Sequence, residues 1–286
     1  MTILLAGCGD LGTEAGLRFA ALGHRVVGWR RSPSKLPAAI EGVAADLSAP
    51  NLPPVPADTA AVVISIAADS PTEAAYQAAY VRGVGNILDA LKRDGVTPDR
   101  VLFVSSTAVY GDAGGGWVDE ETPPAPAGFS GRILMEVEEL LRERLAGTST
   151  AAVSLRLGGI YGPGRTRLID QVRSGSAVVP VDIRYTNRIH RDDAAGAIVH
   201  LATMTAEPAP VYVGVDDDPA GLGTVLRFLA GELGMAEPPV GDAGPARAGN
   251  KRCSNKLLRG TGFGFTFPSF REGYRDILAG NGMRHP

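Results

Sequence analysis

The sequence predicts an α/β fold, in which a doubly wound parallel sheet is followed by a smaller C-terminal α+β domain. The first half of the chain alternates short apolar runs with longer amphipathic segments, and a glycine-rich turn joins the first run to the first segment. Apolar runs bounded by Gly and polar residues are typical of strands that are buried on both faces of a parallel sheet. The segments between them are long enough for the crossover helices that parallel strands require.

Five apolar runs are the predicted strands of this sheet. They are TILLA (2–6), HRVVGW (24–29), AAVVISIA (60–67), RVLFVSS (100–106) and AAVSLRLGG (151–159). A helix is predicted within residues 124–145, because Leu134, Val137 and Leu141 fall on one face at spacings of three and four.

The second half contains shorter elements that are separated by Gly and Pro. The run DDAAGAIVHLATM predicts a helix capped by Asp192 or Asp193, and PVYVGVDD predicts a strand. Two further helices are predicted at Leu222–Gly234 and Phe270–Leu278.

The composition is that of an ordinary soluble globular protein, since 28 basic side chains nearly balance 31 acidic ones. This balance argues against nucleic acid or a membrane surface as a partner, and no stretch reaches the roughly 20 apolar residues of a membrane span. Cys8 and Cys253 form no C-x-x-C pair, and no disulfide framework is expected. The opening residues MTILLAG lack the pattern of a signal peptide. We therefore expect a cytoplasmic protein.

The loop LLAGCGDLGTEAG places Gly7, Gly9 and Gly12 in G-x-G-x-x-G spacing between a strand and a helix. In Rossmann-type folds the first glycine permits a tight turn, the second lets the backbone approach a pyrophosphate, and the third lets the helix pack closely on the strand. The N-terminus of the helix then faces the phosphates. The sequence therefore predicts a dinucleotide site that also includes Asp10 and Leu11.

The end of the second strand bears on the choice between NAD and NADP. Proteins that bind NAD usually place an acid near this point for the ribose 2′-hydroxyl, whereas Arg accommodates a 2′-phosphate. Trp29, Arg30, Arg31 and Ser32 include no acid. A guanidinium group matches the geometry of a phosphate, and Trp29 or an Arg can stack on adenine. The sequence therefore predicts NADP(H) over NAD(H).

These patterns predict two domains. We expect residues 1–160 to form a dinucleotide-binding Rossmann domain, to which residues 187–205 return. Residues 161–286 are expected to form mainly a smaller substrate-binding domain that completes a cleft over the sheet. The loop 111–131 is rich in Gly and Pro, and it is either a lid over this cleft or a solvated surface loop.

Several motifs make the chain similar to the extended short-chain dehydrogenase/reductase family, in its epimerase/dehydratase group. They are GCGDLG, VAADLS, VISIAAD, VLFVSSTAVYGD, LRLGGIYGPGR, NRIHRDDAA and VYVGVDDDP. The resemblance implies an NAD(P)-dependent fold and the following cofactor contacts: Asp46 and Leu47 at the adenine, Ile66, Ala67 and Ala68 near its ribose, and Gly159 and Ile160 beside the nicotinamide. It also places Ser106 at the family's catalytic Ser/Thr position, where a hydroxyl holds a substrate oxygen during hydride transfer.

The family's acid is a Tyr that is followed four positions later by a Lys, and this chain departs from that pattern. The resemblance aligns Phe129 with the Tyr and Ile133 with the Lys, and neither side chain can transfer a proton. A shift of one residue aligns Gly128 and Arg132 instead, which still provides no acid. The late stretch NKRCSNKLLRGTGFGFTFPSFREGY is similar to a bacterial subgroup of atypical members that lack this pair.

Three accounts of the function remain open at this point. In the first, the chain is an NADP(H)-dependent oxidoreductase or epimerase/dehydratase-like enzyme for a carbonyl or hydroxyl compound. Its proton donor is then Tyr110, Tyr161, Tyr185 or a bound water, with Arg132 supplying positive charge. In the second, it is a catalytically weak NADP(H)-binding sensor or regulatory module. In the third, it binds a nucleotide weakly and has an unrelated role.

The substrate is expected to be a small, anionic molecule. Arg165 and Arg188 lie in motifs that present cations to substrate in the family, Tyr161 adjoins them, and Arg252 is a further candidate. Arginines that converge on one cleft suit a carboxylate or a sugar phosphate. His190 and the two aspartates that follow it have no HExxH or CxxC spacing, and no metal site is predicted. A homodimer is expected from the family analogy alone.

Overall fold

The computed structural model describes residues 1–244 and 249–286, and its centre is a seven-stranded, fully parallel sheet. The described strands are β1 (Thr2–Ala6), β2 (Arg25–Arg30), β3 (Glu41–Ala44), β4 (Thr59–Ile64), β5 (Arg100–Ser106), β6 (Trp117–Val118), β7 (Ala151–Leu157), β8 (Gly159–Tyr161), β9 (Val179–Pro180), β10 (Arg188–His190), β11 (Val211–Gly214), β12 (Val240–Gly241) and β13 (Arg252–Cys253). The sheet has the order β11-β7-β5-β4-β1-β2-β3. The chain winds outwards in both directions from β1 and β4, which confirms the predicted doubly wound α/β fold.

Helices cover both faces of this sheet. They are α1 (Asp10–Ala21), α2 (Glu73–Tyr76), α3 (Gly83–Asp94), α4 (Phe129–Leu145), α5 (Arg167–Arg173), α6 (Arg191–Thr203), α7 (Leu222–Glu232), α8 (Lys256–Gly260) and α9 (Phe270–Leu278). A π-helical segment, Gln77–Arg82, joins α2 to α3. Across the described ranges, none of these helices combines the length and the apolar character that crossing a bilayer would take.

The N-cap of α6 differs from the expected one. The helix begins at Arg191, and the imidazole of His190 accepts a hydrogen bond from the backbone N–H of Asp192. The carboxylate of Asp193 accepts hydrogen bonds from the backbone of Thr266 and Phe267 instead. Asp192 and Asp193 therefore lie in the first turn of α6, and the expected aspartate cap was wrong.

Two hydrophobic layers sandwich the sheet, and a third core lies beyond its carboxyl edge. One layer packs α3 and α4 on the sheet through side chains such as Ile87 and Val137, and the other packs α1 and α6 through Phe19 and Ile198. The third core joins α5, α7 and α9, with Phe270 completely buried in it. Residues 187–205 were expected to return to the Rossmann domain. The returning part of the chain extends past α6 to β11, which pairs with β7.

The loop 111–131 is attached to the C-terminal part of the chain. Its strand β6 pairs in parallel with β13, and the backbone N–H groups of Ala113 and Gly115 both donate to the carbonyl of Asn250. These bonds hold residues 250–253 against the segment that follows β5.

A buried ion pair connects α4 to the sheet. The carboxylate of Glu138 accepts hydrogen bonds from the guanidinium of Arg156, the shortest at 2.6 Å, and from the hydroxyl of Ser105 at 2.6 Å. The side chains of Arg156 and Glu138 are only 6% and 9% exposed. Removal of one partner from such a pair leaves the other charge buried without compensation.

We expect Glu138→Ala to lower the free energy of unfolding by about 3–5 kcal/mol, because Arg156 loses its counter-charge in the core. Urea denaturation measures this loss. Glu139→Ala is the matched control on the same helix, since Glu139 pairs with Arg142 at the surface, and such pairs contribute about 0–1 kcal/mol. Equal losses in the two variants would contradict the assignment of Glu138 as the anchor of α4.

Candidate functional site

The parallel sheet brings the carboxyl ends of its strands to one edge, and two cavities lie along it. The first cavity borders the residues that follow β1, β2 and β4, and its volume is about 700 Å³. The second borders the residues that follow β5 and β7, and its volume is about 730 Å³. In doubly wound sheets ligands bind in the crevice at this edge.

The first cavity brings together most of the residues that the sequence assigned to a dinucleotide. Its walls include Gly7, Gly9, Trp29, Arg30, Arg31, Ser32, Asp46, Leu47, Ile66, Ala67 and Ala68. Cys8, Lys35 and Ser65 also line it, and the sequence analysis did not assign these three to the cofactor. Burial raises the pKa of Cys8 to about 11, which keeps its thiol protonated near neutral pH.

Close packing fixes the glycine loop at Gly7 and Gly12, and the loop is open at Gly9. Gly7 has a φ of 89°, and a Cβ on it would lie 2.5 Å from the carbonyl oxygen of Ser65. A Cβ on Gly12 would lie 2.9 Å from the carbonyl oxygen of Gly7. Gly9, the N-cap of α1, has open space beside it. This cradle fits the pyrophosphate of a dinucleotide, with the N-terminus of α1 directed at it.

The cations at the end of β2 lie at one end of the first cavity. The guanidinium of Arg31 forms a bidentate ion pair with the carboxylate of Asp69, with both N–O distances at 2.7 Å. Both side chains are about two-thirds exposed. Exposed pairs of this kind are weak, and a phosphate can therefore compete for the guanidinium. Arg30 and Lys35 complete this group of cations.

Trp29 cannot stack on adenine in the way that the sequence suggested. Its side chain is 0% exposed and belongs to the hydrophobic core, and it contributes only to the wall of the cavity. Strand β2 points this residue inward, because the sheet is buried on both faces.

Asp10 and Leu11 also differ from the expectation. The carboxylate of Asp10 receives hydrogen bonds from Arg165 at 2.8 Å and from Arg191 at 3.2 Å, and it does not line the first cavity. Leu11 is 5% exposed and packs in the core with the first turn of α1. Asp10 therefore joins the glycine loop to the loop after β8, and this pairing has no local signature in the sequence.

The second cavity contains the other expected functional residues. Ser106, Gly159, Ile160, Tyr161, Arg165 and Arg188 all line it. The hydroxyl oxygen of Ser106 accepts a hydrogen bond from the backbone N–H of Ala108 at 3.1 Å. In the described ranges no hydrogen bond uses the Ser106 hydroxyl as a donor, which leaves its proton for a substrate oxygen.

Cations dominate the charge of this cavity. Arg167, Arg184 and Lys251 line it beside Arg165 and Arg188, and the described lining residues include no carboxylate. The sequence analysis missed these three, although Arg167 follows Arg165 by two residues and Lys251 lies in the late stretch NKRCSN, because nothing in the sequence shows that they line the same cavity. Only the fold brings these residues together.

Arg252 lies outside the second cavity. Its guanidinium stacks between the rings of Trp117 and Tyr185, at 5.0 Å and 4.8 Å, and donates to the carbonyl of Gly115. The expected substrate role for Arg252 was therefore wrong, since this contact holds the loop 111–131 in place.

Two of the three tyrosines proposed as acids are buried, although Tyr161 also lines the second cavity. Tyr110 is 2% exposed, does not line the cavity, and accepts a hydrogen bond from Arg156 at 2.8 Å. Burial raises its pKa to about 12. Tyr161 is 4% exposed, its ring packs 4.6 Å from that of Tyr274, and burial raises its pKa as well. The expectation that Tyr110 is the acid was therefore wrong, because it is a core residue. Tyr185 is half-buried and lines the cavity.

The start of α4 contributes no proton donor to this cavity. Phe129 packs edge-on against Tyr76 at 5.3 Å, and Ile133 is 2% exposed. Arg132 is exposed and does not line either cavity, and the expectation that it supplies charge to the site was wrong. Within residues 1–244 and 249–286, no group of three or more His, Cys, Asp or Glu side chains is arranged to hold a metal ion.

A buried carboxyl group lies behind Arg188. Asp216 is 2% exposed, and one of its oxygens has no hydrogen-bond partner in the described part of the chain. Burial raises the pKa of Asp216 to about 8, although the charge of Arg188 opposes this effect. An unfolded Asp titrates near pH 3.9. The protonated form therefore contributes stability that is complete below about pH 4 and is lost as the pH rises towards 8.

We expect Asp216→Asn to flatten the decrease in the free energy of unfolding between pH 4.5 and pH 8, as measured by urea denaturation at each pH. Asp217→Asn is the control, because hydrogen bonds from Arg259 and Asn255 outweigh burial and lower the pKa of Asp217. The ionised form of Asp217 therefore stabilises the folded protein, and this stabilisation is lost as the pH falls. A wild-type slope in Asp216→Asn would contradict the assigned titration.

Known proteins share this fold along nearly the whole chain. A structure from Methylobacillus flagellatus, assigned as an NAD-dependent epimerase/dehydratase, is 38% identical, covers 98% of each chain and superposes with a TM-score of 0.79. Protein YeeZ of Escherichia coli K12 is 38% identical over 122 residues, and this match spans only 43% of the chain and 41% of YeeZ. The dTDP-L-rhamnose 4-epimerase of Burkholderia thailandensis is 27% identical and covers 64% of each chain.

A family description matches residues 3–214, a span that includes the glycine loop, the described lining of the first cavity and most of the described lining of the second. The cofactor class in its name, a nicotinamide dinucleotide, agrees with the cradle formed by the glycine loop. Since this match covers well over half of its length, the chain belongs to the NAD dependent epimerase/dehydratase family.

Proposed function

We propose that the protein is an NADP(H)-dependent enzyme of the oxidoreductase or epimerase/dehydratase type, acting on a small, anionic carbonyl or hydroxyl compound. The second cavity is the observation that carries this proposal. It combines the Ser106 hydroxyl with Gly159 and Ile160, which the family resemblance places beside the nicotinamide, and with the cations that line its walls.

The chemistry follows from what these residues can bind. A bound NADPH supplies a hydride to a carbonyl carbon. Ser106 donates a hydrogen bond to the carbonyl oxygen, where negative charge develops. Arg188 and Arg184 hold the anionic group of the substrate, so that its carbonyl is kept near Ser106.

The preference for NADP(H) rests on the end of β2. No Asp or Glu occupies positions 29–32, and Arg30, Arg31 and Lys35 line the first cavity there. A 2′-phosphate carries more negative charge than the Asp69 carboxylate that pairs with Arg31, and a guanidinium can bind it through two parallel hydrogen bonds.

We expect NADPH to bind at least tenfold more tightly than NADH, and we expect Arg30→Ala and Arg31→Ala each to reduce this ratio severalfold. Isothermal titration calorimetry measures both dissociation constants. Arg25→Ala is the matched control, because Arg25 lies at the opposite end of β2 and pairs with Glu41. Equal affinities of the wild-type protein for NADPH and NADH would refute the cofactor preference.

Turnover is tested with NADPH and a panel of small 2-oxo acids and keto-sugar phosphates, by following NADPH absorbance. We expect at least one anionic carbonyl to be reduced, and Ser106→Ala to lower kcat for it by 10²-fold or more, in the range of general acid–base contributions. NADPH binding without any turnover on this panel would favour the sensor account, which limited proteolysis in NADPH and NADP⁺ then examines.

A further inference from the structure

The start of α4 leaves the second cavity without the acid that hydride transfer requires. Phe129 and Ile133 carry no transferable proton, and their side chains pack on Tyr76 and in the core. The hydroxyls of Tyr110 and Tyr161 are enclosed, and burial raises the pKa of both. Of the expected donors, Tyr185 lines this cavity, where its ring stacks on the Arg252 guanidinium at 4.8 Å. A lysine from a different segment lines the same cavity.

Lys251 lines the same cavity as Ser106, although 144 residues separate the two in the chain. Its backbone is held from two sides. The pairing of β13 with β6 fixes the residues that follow it, and the side-chain amide of Asn187 donates to the Lys251 carbonyl at 3.0 Å and accepts from the backbone N–H of Cys253 at 2.7 Å. This double attachment determines where the lysine side chain enters the cavity.

The ammonium group lies beside the turn that carries Ser106. Its Nζ donates to the carbonyl oxygen of Tyr110 at 3.1 Å. Tyr110 closes the 3₁₀ turn Thr107–Val109, and Ser106 is the N-cap of that turn. Ser106 and Lys251 are therefore connected through one short turn and face one cavity.

The surroundings favour a lysine that can lose its proton. Lys251 is 1% exposed, and burial lowers its pKa, while Cys253 and Asp112 oppose this effect. Burial raises the pKa of the Cys253 thiol to about 12 and keeps it neutral, so the Asp112 carboxylate is the charged group that opposes burial. Arg184 and Arg188 line the same cavity as Lys251.

We propose that Lys251 is the proton donor of the second cavity, beside the turn that carries Ser106; this rests on the proposed function. As the carbonyl carbon accepts a hydride from NADPH, the π electron pair of the C=O bond moves to oxygen, and the Lys251 ammonium transfers one proton to that oxygen. The products are the alcohol, NADP⁺ and a neutral Lys251 amine, which then takes a proton from water. Ser106 holds the oxygen throughout by a hydrogen bond.

Two substitutions separate proton transfer from charge. Lys251→Met removes both the proton and the charge, whereas Lys251→Arg retains a positive charge that does not give up its proton in the accessible pH range. With the fastest carbonyl compound of the panel, we expect both variants to lose 10²-fold or more in kcat, with the smaller change in KM for Lys251→Arg. NADPH affinity, measured by calorimetry, is expected to stay within twofold of wild type and shows that the variants are folded.

Lys256→Met is the control, because Lys256 is an exposed lysine on α8 of the same segment. We expect it to retain the wild-type kcat. A wild-type kcat in Lys251→Arg would overturn the donor role, because charge alone would then suffice. A wild-type kcat in Lys251→Met would overturn it as well, with the proposed function intact.

A second measurement does not depend on turnover. In protein labelled with ¹³C-lysine, the Cε signal of Lys251 is assigned by its absence from Lys251→Met, and its titration is followed by NMR. Because burial lowers the pKa of Lys251, we expect its midpoint to lie below the ordinary lysine value of about 10.4, and a midpoint at that value would overturn the proposal. A wild-type protein that binds NADPH and reduces no carbonyl would overturn the proposed function, and the donor role with it.

Discussion

The parallel alignment of seven strands is the constraint on which both cavities depend. Because every strand runs in the same direction, the glycine turn after β1, the basic residues at the end of β2 and Ser106 at the end of β5 all reach one edge of the sheet. Burial on both faces makes this alignment stable, and it also draws Trp29 inward. The sheet thus decides which side chains of each strand end are available for binding.

Local patterns in the sequence were sufficient for this part of the molecule. Apolar runs and helical spacing predicted the main strands and α4, and the glycine spacing predicted the turn whose Gly7 has a positive φ. The family resemblance placed Ser106 and Gly159, which line the same cavity. These features depend on residues that are close together in the chain, and a single sequence therefore contains the information.

Contacts between distant segments could not be predicted in this way. Asp10 pairs with Arg165, and Tyr110 accepts a hydrogen bond from Arg156. Both contacts join residues that are far apart in the chain. They explain why Asp10 and Tyr110 do not have the roles that the sequence suggested. Lys251 was missed for the same reason, since a lysine in a polar stretch resembles any surface lysine until β13 pairs with β6. Burial and pairing are properties of the assembled fold, and they determine which polar groups remain for chemistry.

The two cavities are lined by different parts of the chain. All residues that line the first cavity lie between positions 7 and 79, whereas the second cavity draws on residues from 106 to 274. A growing chain on the ribosome therefore contains every described residue that lines the first cavity before Lys251 and Tyr274 have been synthesised. The second cavity can form only after the last fifth of the chain, which contains Lys251 and Tyr274, has been added.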